Sequence, residues 1–306
     1  IEIGVLGEFI IYVNMLTWPV AVVGWVTSIV QQAEASQKRI NRFLQEQPEI
    51  LDGEGVPPLE DFTIEFDKVS LSYPETGIKA LDKVSFTLKP GQKLGIVGAV
   101  GAGKSTLFDV LTRLYDVDGG EIRIGGVPIQ KFTLDALRQQ IGIVPQNPFL
   151  FSESIADNIR FGKKDATLQE IEQAAKMANV HENIIAFAEG YNTELGERGV
   201  TLSGGQIQRV SIARALIKNP EILLLDDCLS AVDTDTEEKI LSNLKQIRSN
   251  KTTLIISHRV TSVLDADHII VLKDGKIIQE GTHEPLINNK GYYQDLFHKQ
   301  QTENTI

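Results

Sequence analysis

Two short stretches hold residues spaced for phosphate chemistry. Gly98–Thr106 reads GAVGAGKST and fits G-x-x-x-x-G-K-[ST]. In such a loop Gly98, Gly101, Ala102 and Gly103 let backbone N–H groups turn inward around a polyphosphate, and the following helix N-terminus adds partial positive charge. Lys104 is placed to reach the β- and γ-phosphates, Ser105 to give its hydroxyl to Mg²⁺, and Thr106 closes the motif. The second stretch, Ile222–Asp233, reads ILLLDDCLSAVD. An apolar run ending in an acid is the other half of such a site, so Asp226 is expected to hold the metal through water. A second acid, Asp227, follows directly.

These residues need elements to hold them. KLGIVG precedes the loop as a strand, and STLFDVLTRLY continues it as a helix. From Lys93 onward, apolar runs alternate with helical stretches: IGIVP, ILLLD and TTLIIS each lead into a helix. That rhythm predicts a mostly parallel α/β sheet. Ahead of it, TIEF, VSLSY and VSFTL predict antiparallel strands, and HIIVLKDGKIIQEG predicts a strand pair turning at KDGK.

The N-terminal part has another character. Phe9 to Val30 carries no charge and exceeds the ~20 residues that a helix needs to cross a bilayer. Trp18 and Trp25 lie inside the run, and Pro19 and Gly24 are tolerable in a membrane helix. Ala33, Ile40, Phe43 and Leu44 then keep a helical period, and Lys38, Arg39 and Arg42 mark the cytoplasmic side. The stretch PEILDGEGVPPLEDF is rich in proline, glycine and acids and reads as a linker. The expected division is 1–47 for the membrane helix and its extension, 48–61 for the linker and 62–306 for the nucleotide-binding domain. The first residue is not Met, and the chain reads as a piece of a longer protein.

Bulk composition removes some functions. The net charge is −11 with both signs mixed along the chain, which argues against a nucleic-acid partner and its basic stripe. One cysteine, Cys228, cannot build an intrachain disulfide framework. His181, His268, His283 and His298 show no metal-ligand spacing.

A phosphate loop by itself serves kinases, GTPases, motors and transporters alike. LSGGQ, Leu202–Gln206, narrows the choice, because it opens the helical stretch GGQIQRVSIARALI as a second glycine-led helix tip. At this point the chain resembles the nucleotide-binding domain of ATP-binding-cassette (ABC) transporters of the exporter type, over residues 62–300. Residues 1–47 resemble the last membrane helix of an exporter half. The resemblance implies a P-loop NTPase cassette, with a mostly parallel sheet, an antiparallel β subdomain and a helical subdomain, after one transmembrane helix. It implies ATP and Mg²⁺ as ligands, and it implies roles. Tyr73 stacks on adenine. Gln146 senses γ-phosphate and metal, so Ser105, Gln146 and Asp226 form the metal set. TELGERG from Thr193 is the exporter X-loop, with the charged triplet at 197–199. SAVD, Ser230–Asp233, is the D-loop, and His258 in ISHR is the switch histidine. Ser203, Gly204, Gly205 and Gln206 bind the ATP of a facing cassette, so two cassettes close head to tail with ATP between them.

In that family the residue after the metal acid is usually glutamate, which polarises the attacking water. Asp227 is one methylene shorter and draws the carboxylate back by roughly 1.5 Å, about one C–C bond. An error of about 1 Å can cost on the order of a hundredfold in rate. The expectation is a slow site and a second half-transporter as partner, a heterodimer being favoured over a homodimer. The implied setting is the cell's inner (plasma) membrane with the cassette on the cytoplasmic side. The implied work is efflux of a small molecule, lipid or peptide. Two other functions use the same cassette: a soluble ATPase acting on nucleic acid or translation, and a nucleotide-gated regulator with little turnover.

Overall fold

The computed structural model describes residues 3–196, 202–230, 232–247 and 251–303. The chain forms two compact units, Ile1–Glu49 and Ile50–Ile306.

The first unit is one helix, α1 (Ile3–Gln45), in which no described residue is buried. It is long and apolar enough to cross a membrane. The uncharged run and the basic extension are therefore one continuous helix, with Pro19 inside it. Thr17 and Thr27 return their hydroxyls to Val13 O (3.0 Å) and Val23 O (2.7 Å), which spares both groups exposure to an apolar surround.

The second unit contains strands β1 (Ile64–Ser72), β2 (Lys79–Leu88), β3 (Lys93–Gly98), β4 (Gly119–Ile124), β5 (Val127–Pro128), β6 (Ile141–Val144), β7 (Ile222–Asp226), β8 (Thr252–Ile256), β9 (His268–Lys273) and β10 (Lys276–Gly281). Its helices are α2 (Lys104–Leu111), α3 (Leu134–Gln140), α4 (Ile155–Arg160), α5 (Leu168–Met177), α6 (His181–Ile185), α7 (Gly204–Leu216), α8 (Thr234–Ile247), α9 (His283–Asn288) and α10 (Tyr292–Glu303). Two sheets result, ordered β2-β1-β4-β5 and β10-β9-β3-β8-β7-β6. The first is antiparallel, and the second is parallel except for β10. This is the expected mixture of a mostly parallel sheet with an antiparallel sheet beside it.

The parallel sheet is covered on both faces, which is why its strands read as unbroken apolar runs. Alternate residues enter different cores. Ile222, Leu224, Leu254, Ile256 and Ile96 pack with Ile64, Phe66 and Ile122 of the antiparallel sheet. Leu223, Leu225, Ile255 and Val97 pack with Val210 and Ile212 of α7 and Ile240 of α8.

One strand differs from expectation. TIEF and VSLS are a single strand, β1, with register shifts between Phe66 and Val69. Lys68 takes φ 50° there, and its N–H donates to Ser85 Oγ at 2.8 Å. The bulge breaks the period-2 pattern, so one strand looks like two in the sequence.

The presumed linker is also tied down. Gly53 N and Gly55 N donate to Phe132 O and Lys131 O, both at 3.0 Å. Asp52 Oδ1 accepts from Leu134 N at 2.6 Å, and the guanidinium of Arg113 donates to Leu51 O at 3.1 Å. A Cβ on Gly53 would stand 2.4 Å from Gln130 O and from the Lys131 carbonyl. Gly53→Ala is therefore expected to lift this strap: amide exchange at Gly53 and Gly55 accelerates, and chemical denaturation registers a loss of about 1–3 kcal/mol.

Candidate functional site

The site grows from the carboxyl edge of the parallel sheet. β3 ends at Gly98, and the chain loops into α2 at Lys104. Gly103 caps this helix at φ 96°, and a Cβ there would lie 2.3 Å from Ala80 O, so only glycine fits. The β9–β10 turn supports the loop from behind, Gly275 N donating to Ala102 O at 3.2 Å. Lys104 is buried, and its Nζ donates to Gly98 O (2.9 Å) and Ala99 O (2.8 Å). Burial holds its pKa below the ordinary lysine value, against the opposing charges of Asp226 and Asp227.

β7 delivers the acids. Burial lifts the Asp226 carboxyl above its usual range, and the Asp227 charge adds to this, although Ser105 hydrogen-bonds to the carboxylate. Asp227 sits at φ 42°, a left-handed conformation that aspartate tolerates better than most residues. Its N–H donates to Ile256 O at 2.9 Å. Its Oδ1 accepts the His258 N–H at 3.2 Å, and Oδ2 lies 3.5 Å from Gln146 Nε2 and 4.0 Å from His258 Nε2. Asp227 is only 7% exposed: one carboxylate oxygen is spent on the His258 backbone and the other faces Gln146 and the His258 ring.

A cleft of about 420 Å³ results. Among the expected residues, Tyr73, Gly101, Gly103, Lys104, Ser105, Thr106, Gln146, Asp226, Asp227 and His258 line it. Gly98 and Ala102 do not line it; Ala102 is buried in the core beneath the loop. The Tyr73 hydroxyl bonds Thr106 Oγ1 at 2.8 Å and reaches Asp109 Oδ2 at 3.5 Å. Its ring meets Tyr115 edge-on at 5.2 Å.

Ser203–Gln206 lie elsewhere, and none of them lines the cleft. They form the tip of α7. Ser203 Oγ accepts Gln206 N at 3.3 Å, and Gln206 Oε1 accepts Ser203 N at 2.9 Å. This capping box leaves Ser203 and Gly204 exposed at a helix N-terminus. The charged triplet at 197–199 lies outside the described residues.

An ABC transporter family profile matches residues 81–230. The multidrug resistance-like ATP-binding protein MdlA of Escherichia coli (strain K12) is 44% identical over 303 residues, covering 99% of this chain and 51% of that protein. Human ATP-binding cassette sub-family B member 6 is 43% identical over 300 residues, covering 96% of this chain and 36% of that protein. A solved bacterial Atm1-family ABC exporter with ATP bound superposes with a TM-score of 0.87 at 37% identity, covering 94% of this chain and 51% of that one. This chain belongs to the ABC transporter family. It spans about half the length of MdlA and of the Atm1-family exporter, and about a third of the human relative.

An ABC transporter domain of this kind binds ATP. The donor set also suits a hard cation. A hydroxyl (Ser105), a carboxylate (Asp226) and an amide (Gln146) offer oxygen, the ligand type of Mg²⁺. Among the described residues no group of three or more His, Cys, Asp or Glu could hold a metal.

Sequence reasoning missed several residues around the cleft. Asp109, one turn beyond Thr106 on α2, has its carboxyl raised by burial and by Asp226. Glu237 on α8 is buried and accepts from Arg259 Nη1 at 2.8 Å and from Ser262 Oγ. Gln300 on α10 bonds the chain on both sides of Arg259. The available signal was weak: Glu237 and Gln300 are polar residues at positions where a helix face meets the core.

The raised Asp226 pKa has a stability consequence. A carboxyl that titrates higher folded than unfolded costs folding free energy when ionised. That cost is present above the folded pKa and vanishes below the unfolded one. Asp226→Asn is therefore expected to raise the melting temperature of the nucleotide-free protein at pH 7, with the gain shrinking as the pH is lowered into the ordinary carboxylate range. The same variant should lose the extra stabilisation that Mg²⁺ adds to ATP. Melting scans over pH, with and without nucleotide and metal, check both.

Proposed function

We propose that this chain is the ATP-binding and hydrolysing part of an ABC exporter, in which two cassettes closing on ATP drive efflux across a membrane. One observation carries the reading. The cleft collects Lys104, Ser105, Gln146, Asp226 and His258, while the exposed α7 tip, Ser203–Gly204, is not part of its lining. Both are helix N-termini suited to anions, and a facing cassette supplies the tip that this chain cannot bring to its own loop.

In this reading the triphosphate lies along the loop from Ala99 to Gly103, with adenine against Tyr73. Lys104 exchanges its two backbone carbonyls for β- and γ-phosphate oxygens. Ser105, Gln146 and Asp226 would hold Mg²⁺, which would supply positive charge against the phosphate oxygens. Asp227 and His258 orient a water for attack at the γ-phosphorus; the β–γ bridge breaks and ADP leaves. New charge then separates the cassettes, and the opening is passed to membrane helices.

The Asp227 geometry supports slow hydrolysis. Its Oδ1 is committed to the His258 N–H, which leaves a single oxygen, Oδ2, on a side chain one methylene shorter than glutamate to meet the water. A partner half-transporter carrying the longer acid is then favoured over a second copy. The same geometry favours, as the second reading, a nucleotide-gated protein with little turnover. We assign residues 1–47 to a membrane helix and its extension, 48–61 to the connection and 62–306 to the cassette. We place the cassette on the cytoplasmic side of the inner (plasma) membrane. The efflux reading draws on the multidrug names of MdlA and of the Bacillus subtilis relative YheI. A small molecule, lipid or peptide all suit such a machine.

The test is ATPase activity of the protein alone and with a candidate partner. Lys104→Ala is expected to abolish nucleotide binding. Asp227→Glu is expected to raise turnover on the order of a hundredfold, the size of a corrected ~1 Å misplacement. Fast turnover by the wild-type protein alone, with no gain from Asp227→Glu, would refute the slow-site reading.

A further inference from the structure

His258 is held through its backbone, on both its N–H and its carbonyl. Its N–H donates to Asp227 Oδ1 at 3.2 Å. Its carbonyl accepts from Gln300 Nε2, and the next available amide, Val260 N, donates to Gln300 Oε1 at 2.8 Å. One side-chain amide thus bridges the chain on both sides of Arg259, with its donor and acceptor each used once.

Gln300 is brought there by a built stripe. Tyr293, Leu296, Phe297 and Gln300 recur at helical spacing on α10. Tyr293 is fully buried, and Leu296 and Phe297 pack against the same core. The Tyr293 hydroxyl is fixed by His283 Nδ1 at 2.8 Å. The apolar part of the stripe seats the helix, and its one polar member meets the His258 loop. Around it, Arg259 is anchored to Glu237 and to Ser230 O, and Ser257 N donates to Ile96 O at 3.2 Å.

We propose that Gln300 is a positioning residue for hydrolysis. It fixes the His258–Val260 backbone, so that the imidazole is presented to the γ-phosphate without reorganisation. The C-terminal helix is then part of the catalytic apparatus, although it contributes nothing to the cleft lining. This rests on the reading of His258 given above.

The test uses the full polypeptide that carries this chain, in nanodiscs. Gln300→Leu removes both bonds and keeps the bulk. Gln300→Glu keeps the acceptor for Val260 N and loses the donor to the His258 carbonyl. In the Gln300→Leu variant, amide exchange at Val260 is expected to rise about tenfold, the net worth of one or two hydrogen bonds. In an Asp227→Glu background, kcat is expected to fall about tenfold while KM for ATP moves less than twofold. Gln300→Glu falls between, and melting temperatures stay together. Unchanged exchange at Val260, unchanged kcat, or KM rising as much as kcat falls overturns the proposal. If the Asp227→Glu parent turns over no faster than Lys104→Ala, the ATPase reading itself fails, and the exchange measurement alone decides the clamp.

Discussion

The register of β3, β8 and β7 is the constraint on which the site depends. Ile96 pairs with Ile256, and Ile256 pairs with Asp226, so β7 and β8 end in one row with Ile96, two residues before β3 ends at Gly98. Just past that row come the phosphate loop, His258 and Asp227. No side chain has to reach far, because the hydrogen-bond ladder has already brought the three segments side by side. A slip of one residue in β7 would turn Asp226 towards the opposite core and expose an apolar face to the cleft. The alternation of Ile222 and Leu224 into one core and Leu223 and Leu225 into the other prevents the slip.

The same edge concentrates charge that the fold does not neutralise well. Burial raises the carboxyls of Asp226 and Asp109 and lowers the Lys104 ammonium. Each shift opposes the charged form in the nucleotide-free protein. The groups nevertheless sit where a triphosphate and a divalent cation would reverse the balance: the lysine gains an anion, and the acid gains a cation. Local destabilisation of this kind marks a ligand site, since a group optimised for the empty fold would be paired already.

The phosphate loop and both acids were marked by local chemistry, Gln146 and His258 by the family resemblance, and the structure brings all of them to one cleft. The loop needs glycine where φ is positive, and the acids need an apolar strand before them. The parallel sheet was legible from its apolar runs alternating with helices. What escaped was non-local. The β1 bulge at Lys68 is held by Ser85 on another strand, so no reading of residues 63–73 alone reveals it. The β4–β5 hairpin is short and its pairing is decided by β1. The strap at Leu51–Gly55 looked like a linker because its partners, Arg113 and Lys131–Leu134, lie far along the chain. Gln300 escaped for the same reason: its two bonds go to backbone atoms, which leave no trace in composition.

Asp227 joins these threads. At φ 42° the backbone turns sharply out of β7, and its N–H goes back to Ile256 O. A short carboxylate at such a turn can satisfy a nearby backbone N–H, and here it satisfies that of His258. Its other oxygen, Oδ2, stays at the cleft, 3.5 Å from Gln146 Nε2 and 4.0 Å from His258 Nε2. One carboxylate thus ties the histidine loop to the end of β7 while facing two of the side chains that line the cleft. The two oxygens make separate contacts, so the same short side chain belongs both to the fold and to the cleft wall.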